Sequence, residues 1–199
     1  MYKIIISLLL LLLLLSGCEK KEKNVDETKK TEQKLKHSTE NNSTKAITFT
    51  LQTIDNKKLH LTEIDNGLEI QELKNRPVFL LFFGHQCPPC MREIPELIKI
   101  SKTHKDLAII AIEVQGLDKT QLQNFAKQKG INYNLITLDS SLKFVNYIQA
   151  KAEWNGAIPF LLGLNKEGKV VIIHVGGLLT SQLEQVYNES IKEVKNNKK

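Results

Sequence analysis

Residues 47–52 and 59–61 alternate between apolar and polar side chains, which is the period of a β-strand. Asp55 and Asn56, between the two segments, are typical turn residues. The pattern therefore predicts a β-hairpin at the start of the folded part of the chain. The stretch that follows, residues 65–76, is mostly polar and indicates no particular element.

Later in the chain, apolar runs predict strands that are buried on both faces of a sheet. Two such runs lie at residues 78–84 and 106–114, and a third strand is predicted at residues 133–139. Two further strands are predicted at residues 160–164 and 170–175. The sequence NKEGK separates them, so they are expected to form a second hairpin.

Apolar residues recur at helical spacing between these strands. One helix is predicted directly after Cys90, and three more are predicted at residues 118–130, 140–150 and 181–194. Asp118 and Gly130, at the two ends of one of these helices, are typical capping residues. Strands that alternate with helices predict an α/β fold with a mainly parallel sheet, covered on both faces, and with the closing hairpin as an antiparallel edge.

The first residues are typical of a secretory signal peptide. Lys3 provides a positive start, and residues 4–15 form an apolar run broken only by a serine. This run is too short for a transmembrane helix, which needs about 20 apolar residues. Its ending, Leu-Ser-Gly-Cys, resembles the bacterial lipobox, which implies that residues 1–17 are removed and that Cys18 carries a lipid anchor. An uncleaved anchor helix is the alternative, and either reading predicts that the rest of the chain is exported.

Residues 18–45 are rich in Lys, Glu, Asn, Thr and Ser. Such a segment buries too little apolar surface to offset the entropy of ordering, so we expect a flexible tether to a domain at residues 46–199. The net charge of +6 comes from mixed charges, which argues against nucleic acid as a partner and favours weak attraction to an anionic membrane. Asn42 lies in the sequence ENNST, which resembles a bacterial N-glycosylation sequon.

The chain has 3 cysteines, and a lipid anchor would use one of them, Cys18. Cys87 and Cys90 remain, in the sequence CPPC. Three interpretations are open: a metal site, a structural disulfide and a redox couple. A zinc site needs four ligands, and the sequence contains neither a second cysteine pair nor histidines at the usual spacing. A disulfide between such close cysteines closes too small a loop to stabilise the fold much.

The position of Cys87, after an apolar strand and at the start of a helix, favours redox chemistry. The N–H groups and the dipole at a helix N-terminus stabilise a thiolate and lower the pKa of the thiol. The thiolate is the attacking species in disulfide exchange. Pro88 and Pro89 suit a first helical turn, where an N–H group has no partner in the helix. Cys90, one turn later, would be shielded and placed to attack the mixed disulfide.

From residue 47 onward, the chain resembles the exported, membrane-tethered thiol–disulfide oxidoreductases of the TlpA, ResA and CcmG type, which have a thioredoxin-like fold. The resemblance rests on the leading hairpin, the strand VFLLFF, the sequences CPPCMREIPEL and GAIPFLLGLNKEGKVV, and an extra β-α unit after the active-site helix. It implies that Cys87 attacks and Cys90 resolves, with no metal and no cofactor besides this dithiol. It also implies that Pro159 is the cis proline of the fold, and that it places the Ile158 backbone against the dithiol and the target.

Glu93 matches an acidic residue near the dithiol of this family, which implies a role in carrying protons and tuning the thiol pKa values. The alternative is an exposed glutamate that interacts with the helix dipole. Gln86 departs from the family, which usually has Trp before the first cysteine, so the docking surface is expected to differ. His85, if protonated, would lower the pKa of the Cys87 thiol; the alternative is an exposed loop residue. Gln86 and Trp154 are candidate substrate-binding residues, with a core position as the alternative for Trp154.

The function that the resemblance implies is reduction of disulfides in exported proteins, such as an apocytochrome c with its CxxCH site, by electrons from a membrane thiol reductant. A disulfide oxidant or isomerase is the alternative enzyme, because CPPC alone does not set the reduction potential. A copper-binding lipoprotein of the same fold is the alternative that is not an enzyme, since thiolates bind Cu(I). We expect the domain to face the periplasm or the cell exterior.

Overall fold

The structure is a computed structural model that describes residues 46–192. The predicted signal peptide, the lipidation site Cys18, the linker and the sequon at Asn42 lie outside these residues, as does Val194 at the end of the last predicted helix. Within the described part of the chain, no helix combines the length and the apolar character that a membrane span requires.

Two β-sheets and four α-helices make up residues 46–192. The first sheet contains β1, Thr48–Gln52, β2, Lys58–Ile64, and β3, Gly67–Ile70. The second sheet contains β4, Val78–Phe83, β5, Ala108–Glu113, β6, Asn134–Thr137, β7, Phe160–Leu164, and β8, Val170–Val175. The helices are α1, Pro88–Thr103, α2, Lys119–Lys129, α3, Leu138–Lys151, and α4, Thr180–Ile191. A 3-10 turn, Gln71–Leu73, follows β3.

The five strands of the second sheet are arranged in the order β6-β5-β4-β7-β8. The pairs β4-β5 and β5-β6 are parallel, whereas β7 is antiparallel to both of its neighbours. Only β7 therefore runs against the other four strands, which confirms the predicted α/β fold with a mainly parallel sheet and an antiparallel hairpin at its edge. The central position of β4 explains why all six of its residues are buried.

The second sheet separates two apolar cores. Leu80 and Phe82 of β4 face the side that is covered by α3 and the first sheet. Phe79 and Leu81 face the other side, where α1, α2 and α4 pack. Because side chains alternate along a strand, an apolar run such as VFLLFF contributes to both cores at once. This double burial holds the C-terminal end of β4, and hence the start of α1, in a defined place.

Two elements differ from the predicted ones, and each difference has a local cause. β3 lies within the stretch at residues 65–76 that showed no pattern, and its antiparallel pairing with β2 makes it a strand. α3 begins at Leu138, within the residues predicted to end a strand. The helix begins there because the side chain of Thr137 accepts a hydrogen bond from the Ser140 N–H and caps it.

Candidate active site

The dithiol lies where the chain passes from β4 into α1. Cys87 is the N-cap residue of α1, and its sulfur accepts a hydrogen bond from the N–H of Cys90 at 3.3 Å. Pro88 and Pro89 follow at the first two helical positions. Because prolines have no N–H group, Cys90 provides the helix N-terminal N–H that faces the Cys87 sulfur. This hydrogen bond and the helix dipole form an environment that stabilises a thiolate.

Cys87 and Cys90 form a disulfide, with their Cα atoms 5.2 Å apart. The two residues differ in access to solvent, since Cys87 is 7% exposed and Cys90 is 1% exposed. A sulfur atom of another molecule thus reaches Cys87 before Cys90. The geometry favours Cys87 as the residue that exchanges with targets and Cys90 as the one that reacts with Cys87.

A turn before β7 borders the sulfur of Cys87. The peptide bond between Ile158 and Pro159 is cis, and the carbonyl oxygen of Ile158 lies 3.6 Å from the Cys87 sulfur. The carbonyl oxygen of Pro159 accepts a hydrogen bond from the N–H of Gly176 at 2.8 Å. Gly176 has a φ of 107°, a conformation that favours glycine. The structure thus brings Ile158 and Pro159 to the dithiol.

Glu93 is buried in α1, with an exposed fraction of 2%. Its Oε1 accepts a hydrogen bond from the N–H of Leu178 at 3.1 Å, whereas its Oε2 has no hydrogen-bond partner among the described residues. Burial raises the pKa of Glu93 to about 7, and the Leu178 N–H, which stabilises the charged form, only partly opposes this effect. The alternative of an exposed glutamate is therefore wrong, and a carboxyl group that titrates near neutral pH lies one helical turn from Cys90.

Trp154 is not brought to the surface beside the dithiol. It is 6% exposed, and its ring stacks on Phe160 with 4.8 Å between the ring centroids. Its indole N–H donates a hydrogen bond to the carbonyl oxygen of Ala157 at 2.7 Å. Trp154 is a core residue next to the turn before Pro159, which is the position that the sequence left open as the alternative to substrate binding.

Gln86 and His85 precede the dithiol and have different environments. Gln86 is exposed next to Cys87, where it is accessible to a target. His85 is partly buried, and its Nδ1 lies 2.9 Å from Oε1 of Glu113. The alternative of an exposed loop histidine is therefore wrong, because a specific carboxylate contact holds the ring.

Two further residues near the site were not predicted from the sequence. Glu113, the last residue of β5, is 0% exposed and contacts both His85 and the loop after β5. The sequence did contain a signal for Glu113, because it is the single charged residue at the end of an apolar strand. No sequence pattern pointed to Tyr133, but its phenol interacts electrostatically with the carboxyl group of Glu93. Burial, and secondarily that charge, raise the pKa of the Tyr133 phenol above its usual value.

Residues 46–192 contain no group of three or more His, Cys, Asp or Glu side chains arranged to hold a metal ion. The chemical groups at the site are instead a dithiol at a helix N-terminus, a cis-proline turn beside it and a buried carboxyl group behind it. Together with the sheet order, they define a thioredoxin-like thiol–disulfide oxidoreductase.

Comparison with known proteins agrees with this class. Residues 43–173 match the AhpC/TSA family, and the chain belongs to that family. Among curated relatives, the thiol-disulfide oxidoreductase ResA of Halalkalibacterium halodurans is 28% identical over 149 residues, which cover 74% of this chain and 75% of that protein. ResA of Bacillus subtilis is 31% identical over 130 residues, which cover 63% of this chain and 69% of that protein.

Solved structures share the fold. A thioredoxin family thiol:disulfide interchange protein from Chlorobium tepidum TLS aligns with a TM-score of 0.59 at 20% identity, over 72% of this chain and 92% of that one. A secreted disulfide oxidoreductase from Mycobacterium tuberculosis aligns with a TM-score of 0.53 at 17% identity, over 70% of this chain and 94% of that one. The thioredoxin-like architecture predicted from the sequence is confirmed.

Proposed function

We propose that this protein is an exported, lipid-anchored oxidoreductase that reduces disulfides in other exported proteins. The observation that carries the proposal is the asymmetry of the dithiol. Cys87 lies at a helix N-terminus beside the Ile158 carbonyl and is partly accessible, whereas Cys90 is enclosed behind it. The resemblance to exported reductases supports the direction of electron flow, and apocytochrome c with its CxxCH site is an example of a target.

Exchange proceeds in two steps. The Cys87 thiolate of the reduced protein attacks one sulfur of a target disulfide, and the other target sulfur leaves as a thiolate. The Cys90 thiolate then attacks the Cys87 sulfur, which releases the second target sulfur and forms the Cys87–Cys90 disulfide. Two electrons pass from the dithiol to the target, whose sulfurs become thiols on protonation. A membrane thiol reductant would restore the dithiol by the reverse exchange.

Glu93 is the group placed to accept a proton in the second step. Cys90 must lose its proton before it attacks, and its burial limits access of water. A carboxyl group with a pKa of about 7 accepts and releases a proton near neutral pH, as general acid–base catalysis requires. The Oε2 atom of Glu93, without a hydrogen-bond partner among residues 46–192, is the available acceptor.

The reduction potential of the Cys87–Cys90 couple distinguishes a reductase from an oxidant. Thioredoxin has a potential of about −270 mV and the oxidant DsbA one of about −120 mV. We expect a value close to that of thioredoxin when the purified protein is equilibrated with dithiothreitol buffers and its free thiols are counted by alkylation. A value close to that of DsbA would contradict the reducing direction and favour an oxidant or isomerase.

The membrane location is a proposal that the lipobox-like sequence ending at Cys18 supports. Cys18→Ala is expected to abolish lipid labelling and to move the protein out of the membrane fraction, because the acyl chains would be lost. The purified variant should retain the dithiol activity of the wild type, since a polar linker separates Cys18 from the dithiol. Metabolic labelling with a radioactive fatty acid, cell fractionation and an insulin reduction assay measure these effects. Lipid labelling that persists in Cys18→Ala would refute the anchor.

A further inference from the structure

A buried carboxylate joins two loops beside the dithiol. Glu113 is 0% exposed, and its Oε1 lies 2.9 Å from Nδ1 of His85 and accepts a hydrogen bond from the N–H of Gln115 at 3.0 Å. Its Oε2 accepts hydrogen bonds from the N–H groups of Gly116 and Leu117 at 3.0 and 2.8 Å. Glu113 therefore orders the loop after β5 and connects it to the segment that leads into the active site.

Gln115, in the loop that Glu113 orders, makes a second connection. Its Oε1 accepts a hydrogen bond at 2.8 Å from the N–H of Gln86, the residue immediately before Cys87. The side chain also packs on Gly84, where an added Cβ would lie 2.3 Å from Cδ of Gln115. Residues 84–86 are thus bonded through His85 to Glu113 and through Gln86 to Gln115.

These contacts have a clear physical role at this position. Gln86 is exposed, so its side chain does not anchor the loop in an apolar core. Residues 84–86 are held instead by polar contacts with Glu113 and Gln115. Charge-assisted hydrogen bonds to a carboxylate are stronger than neutral ones, which makes the Glu113 contact well suited to fix the loop. The direction of the Cys87 sulfur relative to the Cys90 N–H at the start of α1 depends on where this loop places Cys87.

We propose that Glu113 and Gln115 are positioning residues, which hold residues 84–86 and thereby set the reactivity of the Cys87 thiolate. This inference rests on the proposed role of Cys87 as the attacking thiol. The expected size of the effect follows from geometry, because misplacing a reacting group by about 1 Å can slow a reaction about 100-fold. Loss of one of several contacts should produce a smaller displacement and a smaller effect.

Gln115→Ala is the principal test, because Gln115 is exposed and its loss leaves the core intact. We expect alkylation of Cys87 in the reduced protein to slow by about tenfold, within the bound set by a 1 Å misplacement. We also expect the pH profile of alkylation to move to higher pH, since a displaced thiolate loses stabilisation from the helix N-terminus. Iodoacetamide kinetics across the pH range of thiol ionisation, with peptide mass spectrometry to locate the label, measure both effects.

Gln123→Ala is the matched control. The Nε2 group of Gln123 donates a hydrogen bond to the carbonyl oxygen of Ile54 at 2.9 Å, a contact that does not involve residues 84–86, and the residue is also exposed. This variant also loses one hydrogen bond between a side-chain amide and the backbone, although Gln123 donates its bond and Gln115 accepts its own. It should keep the rate and pH profile of the wild type. Equal slowing in both variants, or an unchanged rate and profile in Gln115→Ala, would overturn the proposal.

Glu113→Gln tests the buried contact and should act in the same direction as Gln115→Ala, because an amide presents only one acceptor oxygen to the surrounding N–H groups. If this variant does not fold, the comparison of Gln115→Ala with Gln123→Ala still decides the question. The assay uses no target protein, so an error about target or direction leaves its result unchanged. Alkylation of Cys90 before Cys87 in the wild type would contradict the proposed function. It would also contradict this inference, which requires Cys87 to be the attacking thiol.

Discussion

The Cys90→Ser protein is expected to accumulate targets bound through Cys87 as mixed disulfides, whereas the Cys87→Ser protein accumulates none. The exposed fractions of 7% for Cys87 and 1% for Cys90 give the reason, because a target reaches only the first sulfur. Once the mixed disulfide has formed, Cys90 attacks as an intramolecular nucleophile. Well-oriented intramolecular groups have effective concentrations of about 10⁵ M or more, far above any external thiol. A serine hydroxyl does not replace the thiolate, so turnover should stop at the intermediate.

Trapping in the native host measures this effect. The variant is expressed, free thiols are blocked by alkylation, and proteins released by reductant are identified on diagonal gels. The double variant, with Ser at Cys87 and Cys90, is the control for non-specific association. Targets bound to the Cys87→Ser protein through Cys90 would reverse the assigned roles of the two sulfurs. The identity of the trapped proteins also tests the proposal that the targets include apocytochromes.

The Glu93→Gln protein is expected to lose a pH dependence of stability that the wild type shows. The pKa of Glu93 is raised from 4.5 to about 7 because the carboxyl group is buried. Between these pH values the folded protein binds more protons than the unfolded chain, so the free energy of unfolding decreases as pH rises. The contribution is fully present below pH 4.5 and is lost as pH rises through about 7. Its size is about 3 kcal/mol, since a tenfold change in an ionisation constant corresponds to about 1.4 kcal/mol.

Urea denaturation of the oxidised protein across this pH range measures the slope. Glu96→Gln is the matched control, because Glu96 lies on the same helix and is only half-buried. Its carboxylate accepts a hydrogen bond from the Thr180 hydroxyl, which the oxygen of an amide can also accept. The control should keep the slope of the wild type, whereas the slope assigned to Glu93 should be absent from Glu93→Gln. Wild type and Glu93→Gln showing the same slope would refute the raised pKa.

The same substitution should slow the second exchange step, because Gln does not accept the Cys90 proton. General acid–base catalysis typically contributes about 100-fold or more, and we expect a loss of that order in the rate at which a preformed mixed disulfide is resolved. Rapid mixing with a small disulfide substrate separates this step from the first attack. Retention of the wild-type rate in Glu93→Gln would remove Glu93 from the mechanism and leave it a structural role.

The sequence by itself determined the order of most elements and the chemical nature of the site. Strand and helix periods depend on residues a few positions apart, so apolar runs and capping residues predict them directly. CPPC at a strand-to-helix junction likewise placed Cys87 at a helix N-terminus. The cis Pro159 followed from the resemblance to a family, not from local chemistry.

Only the tertiary structure decided how buried the charged and aromatic side chains near the dithiol are. The buried carboxyl group of Glu93 is bonded to the N–H of Leu178, 85 residues later, and His85 is held by Glu113, 28 residues later. Trp154 faces the core because Phe160 stacks on its ring and Phe82, on the central strand β4, packs against it at a tilt. Burial and pairing depend on contacts between distant parts of the chain, and local sequence patterns do not contain that information.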